Sequence, residues 1–68
     1  MKDLRTKFLD LFVNLPIPLR REIIVVIDNQ PISWNIAYKE IKAETKLGKR
    51  ILKELDTLGL WSDSNDSA

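Results

Sequence analysis

Ile23-Ile24-Val25-Val26-Ile27, followed at once by Asp28-Asn29-Gln30-Pro31, is the stretch on which the fold turns. Five apolar β-branched residues in a row suit a buried strand. They also suit a helix that begins at Pro18, a residue well placed at the first helical position. The run is short, and no second stretch with obvious pairing signals accompanies it, so it is read as part of a helix from about Pro18 to Asp28. Leu19, Ile23, Val26 and Ile27 then form the inner stripe. Ile24 and Val25 point away from that stripe and need cover. Asp28-Asn29-Gln30-Pro31 reads as a turn.

Upstream, Leu4, Phe8, Leu11, Phe12 and Leu15 recur at helical spacing, which predicts an amphipathic helix from about Asp3 to Asn14. Asp3 is its natural N-cap. Pro16-Ile17-Pro18 ends it, because a residue before proline avoids the helical region. Leu9 and Val13 lie on a second apolar strip. Downstream, Ser33 caps a third helix from about Trp34 to Glu44, with Trp34, Ala37, Tyr38 and Ile41 inward. After a short turn at Thr45-Lys46, a fourth helix runs from about Leu47 to Leu58 on the stripe Leu47, Ile51, Leu55, Leu58. Gly59 stands at the usual C-terminal glycine position. The expected class is all-α: four short helices in one domain, residues 1–61, with a disordered polar tail at 62–68.

Composition narrows the function. The chain has 68 residues, 44% of them hydrophobic and 31% charged, a globular balance that leaves room for one small core. It contains neither cysteine nor histidine. The first absence removes disulfides and thiolate metal sites, and the second removes the commonest general base and metal ligand. No metal or other cofactor is expected. No run of about 18 apolar residues suggests a membrane span. The basic start at Met1-Lys2-Asp3 lacks the apolar stretch of a signal peptide, so a cytoplasmic protein is expected. No glycine-rich phosphate loop is evident, and Ser33 has no histidine partner. A domain this small hardly encloses a small-molecule substrate. An enzyme is not expected.

Ala37, Ile41 and Leu47 have the spacing of a small residue, an aliphatic residue and the opening of a second helix. Leu52-Lys53-Glu54-Leu55-Asp56-Thr57-Leu58-Gly59-Leu60-Trp61 then closes on leucines three apart, a glycine and an apolar pair. Together, over about residues 32–61, this resembles the helix-turn-helix of winged-helix DNA-binding proteins. The resemblance implies a trihelical core preceded here by an extra N-terminal helix, and a recognition helix at 47–58. Two features depart from the family. The fourth helix is about one turn short, with Gly48-Lys49-Arg50 near its start. The wing is missing or vestigial.

Charge is nearly balanced, 11 basic against 10 acidic residues, so only its distribution can speak. Lys46, Lys49, Arg50 and Lys53 fall on one helical stripe opposite the leucines. Arg and Lys on such a face reach guanine edges and phosphates. Arg20 and Arg21, with Lys2, Arg5 and Lys7, are candidates for further phosphate contacts. The same stripe also suits a plain solvated face. The expected function is a small DNA-binding transcription regulator, acting on double-stranded DNA as a homodimer. Leu9, Val13, Ile24 and Val25 are the expected dimer or partner surface. The alternative is a protein-interaction adaptor, an accessory subunit of a larger replication, transcription or cell-division complex.

Overall fold

Asp3 caps the first helix as expected: its carboxylate accepts from the Thr6 amide at 2.8 Å and starts helix α1, Leu4–Val13. The computed structural model describes residues 3–60; Trp61 and the predicted tail at 62–68 lie outside the described residues. After α1 come a 3-10 turn η1, Ile17–Arg21, then strands β1, Ile23–Ile27, and β2, Gln30–Ser33. Helices α2, Trp34–Lys42, and α3, Lys46–Leu58, complete the order.

This corrects the all-α expectation. The described residues hold three α-helices and a two-stranded antiparallel sheet, not four helices, and the helix expected at Pro18 to Asp28 does not form. Pro18 opens only one short 3-10 turn. The β-branched run then extends, because alternation buries Val25 and Ile27 while Val26 faces out. Its partner was hidden by Pro31. The strands pair Ile27 with Gln30, Val26 with Pro31 and Val25 with Ile32. Ile27 and Gln30 close a two-residue turn, so they form the hydrogen-bonded pair and Val26 with Pro31 the next, non-bonded one. Pro31 therefore points its missing N–H to the outer edge, where a ladder bond is not required. Asp28 and Asn29 both take positive φ, 52° and 67°, the geometry of the mirror-image turn that matches strand twist. A bulge between Ile23 and Val25 puts Ile24 in as the extra residue.

The core is one cluster: Phe8 and Phe12 from α1, Val25, Ile27 and Ile32 from the hairpin, Ala37 and Ile41 from α2, Ile51 and Leu55 from α3. Phe8 stacks on Trp34 with ring centres 5.6 Å apart, and Phe12 on Tyr38 at 4.2 Å. These stacks lock α1 across α2. Val26 and Leu58, expected inward, are exposed; Val25, expected off the inner stripe, is buried.

Candidate nucleic-acid interface

The pair α2 and α3 is joined by a turn whose geometry comes from packing. The Thr45 amide donates to the Glu40 carbonyl and the Glu44 amide to that of Ile41, both at 3.1 Å. With Glu44 at φ 57°, this is the Schellman ending of α2. Thr45 then caps α3, its hydroxyl accepting from the Gly48 amide at 2.9 Å and donating to Glu40 Oε1 at 2.6 Å. Gly48 sits against the end of α2 so closely that a Cβ there would lie 2.4 Å from the Glu40 carbonyl oxygen. Arg5 of α1 ties down the same end, donating to the Ile41 and Lys42 carbonyls and pairing with Glu44 at 3.5 Å.

Gly48, Ile51 and Leu55 face the core. The opposite face of α3 therefore carries Lys46, Lys49, Arg50 and Lys53, all exposed. At about 100° per residue, Arg50 and Lys49 are the two flanks of this stripe, with Lys46 and Lys53 between them. On one flank, Lys49 lines a shallow cleft of about 450 Å³ shared with Asp3, Leu4 and Arg5. On the other, Arg50 meets the hairpin turn: Nη1 donates to Asp28 Oδ2 at 2.6 Å and Nη2 to Oδ1 at 3.3 Å. These hydrogen bonds, and then the charge of Arg50, hold the Asp28 carboxyl below its ordinary range; the same bonds, and then the charge of Asp28, raise Arg50.

The remaining expected contacts are distributed differently. Arg20 is half-buried, its guanidinium 4.5 Å above the Phe12 ring. It donates to the Leu15 and Phe12 carbonyls, so it closes the end of α1 instead of offering a free cation. Arg21 is exposed at the end of η1. Of the expected apolar surface, only Val13 stands clear, at 62% exposure. Val25 is a core residue, and Leu9 and Ile24 are half-buried against the core. Leu11, Ile17 and Leu19, close to Val13 in sequence, are also exposed. The sequence reading placed Asp28 in a turn but not beside Arg50; the signal for a hairpin there was a two-residue Asp-Asn turn after a β-branched run.

No helix is long and apolar enough to cross a membrane among the described residues, and no group of three or more His, Asp or Glu side chains gathers there to hold a metal ion. No protein-family model, curated protein or solved structure matches the chain.

Proposed function

We propose that this chain is a cytoplasmic helix-turn-helix protein that binds duplex DNA through the outer face of α3 and serves as a transcription regulator, working as a homodimer. One observation carries the reading: α3 presents four exposed basic side chains on the face directly away from its buried Gly48, Ile51 and Leu55. A helix entering a major groove needs that division, apolar toward its own domain and cationic toward phosphate and base edges. The close α2–α3 junction at Gly48 holds the helix rigidly to the core. The resemblance to winged-helix proteins at residues 32–61 points the same way, with the helix before that unit replaced by a hairpin.

The test is binding to mixed-sequence duplex DNA at about 50 and 200 mM salt, with Lys49→Ala/Lys53→Ala beside wild type. Binding should weaken with salt, and the variant should bind less tightly and respond less to salt, since each phosphate contact releases a counterion. Absence of wild-type binding at the lower salt would reject this reading. A second reading, a protein-interaction adaptor, draws on the exposed Leu11, Val13, Ile17 and Leu19 at the junction of α1 and η1. It gains if DNA binding fails and Val13→Asp abolishes a pull-down partner that binds the wild-type chain.

A further inference from the structure

We infer that the hairpin turn is a second contact element of the same DNA surface, with Asn29 and Gln30 as its hydrogen-bonding side chains. The inference rests on the reading of α3 as a DNA-binding helix. It starts from the ion pair between Arg50 and Asp28, which joins residues 22 positions apart in sequence. Both partners are largely exposed, 57% and 71%, so the contact lies out among the side-chain tips, not down at the helix backbone. A duplex surface that touches Arg50 therefore comes within a side-chain length of the residues next to Asp28.

Those residues are held in place independently of the ion pair. β1 packs against α3, and the turn that follows it is only two residues long, both in the left-handed region. Asn29 and Gln30 are exposed on this turn and at the first position of β2. An α-helix about 10–12 Å across fills a major groove about 12 Å wide. An element standing beside the outer face of such a helix meets the groove edge, where phosphates lie. Each amide both donates and accepts, so it suits phosphate oxygens and base edges alike. The negative charge of Asp28 is matched by Arg50, which removes the repulsion that a lone carboxylate would bring to phosphate. The surface then divides by chemistry. Lysines of α3 supply the salt-dependent part, and the turn supplies neutral hydrogen bonds.

That division makes the test. Asn29→Gly/Gln30→Ala removes both amides while glycine keeps the positive φ of position 29. Its affinity for a duplex of about 20 base pairs is compared with that of wild type and of Lys49→Ala/Lys53→Ala across a salt series. Circular dichroism and thermal melts establish that each variant is folded. The turn variant should lose about five- to tenfold in affinity at every salt concentration with an unchanged log–log salt slope. The lysine variant should flatten that slope by about 1.8. In the wild-type chain, the side-chain amide NMR signals of Asn29 and Gln30 should shift on adding the duplex. If the lysine variant loses binding while the turn variant binds as wild type and its parent amides do not shift, the turn lies outside the interface and the α3 reading stands. If wild type binds no duplex, both fail together.

Discussion

Helices α2 and α3 end in the same hydrogen-bond pattern, yet for different reasons. At the end of α3, the Leu60 amide donates to the Leu55 carbonyl and the Gly59 amide to that of Asp56, with glycine at φ 80°. At the end of α2 the equivalent left-handed position is Glu44, a residue that is strained there. Glycine makes the first ending nearly free of cost, so it forms on local grounds. The second is imposed from outside. Gly48 of α3 closes on the Glu40 carbonyl, and Arg5 of α1 grips the Ile41 and Lys42 carbonyls. The one ending is therefore local chemistry, and the other belongs to the tertiary fold that aims α3.

The largest break in this comparison is Gly48→Ala. The new Cβ meets backbone, not a movable side chain, so the two helices must part. A loss of about 3 kcal/mol in urea unfolding is expected, with weakened duplex binding in whatever remains folded. A loss below about 0.5 kcal/mol would mean that the junction is loose.

A reciprocal pair of substitutions sharpens the comparison. Gly59→Ala should destabilise by about 1 kcal/mol, because alanine has to enter the left-handed region. Glu44→Gly should stabilise by about 0.5 kcal/mol: relief of strain outweighs the freer unfolded chain and the exposed ion pair lost with Arg5. Denaturant midpoints at neutral pH measure both. Equal destabilisation by the two changes would show that Glu44 is not strained.

The smallest effect concerns the other end of the helices. Ser33 and Thr45 cap α2 and α3 with hydroxyls, whereas Asp3 caps α1 with a carboxylate. The backbone hydrogen bond from Thr6 holds Asp3 below its ordinary value of 3.8, and Arg50 does the same for Asp28. A carboxylate lowered in the folded state stabilises above its unfolded value and loses that contribution as pH falls through the lowered one. Stability should therefore decline below about pH 4, and Asp3→Asn/Asp28→Asn should decline less. Melting temperatures at about pH 6 and pH 3 decide it; identical declines would remove both carboxylates from the acid limb.

What the sequence alone determined are the features that neighbours along the chain settle. Asp3 and Ser33 start α1 and α2, Gly59 ends α3, and the spacing of Ala37, Ile41, Ile51 and Leu55 sets the inner faces of α2 and α3. The basic stripe on α3 was legible for the same reason, since 3.6 residues per turn alone puts Lys46, Lys49, Arg50 and Lys53 together. The tertiary structure decided the rest. Whether Ile23 to Ile27 coils or extends depended on a partner strand that contains a proline, acceptable only because Pro31 faces the open edge. Which of Val25 and Val26 enters the core followed from that choice, because a strand sends alternate residues to opposite sides. Arg20 over Phe12, Arg5 on the end of α2 and Asp28 beside Arg50 are contacts between segments distant in sequence. A periodicity within one helix carries no information about them, because they exist only once the helices and the hairpin have packed.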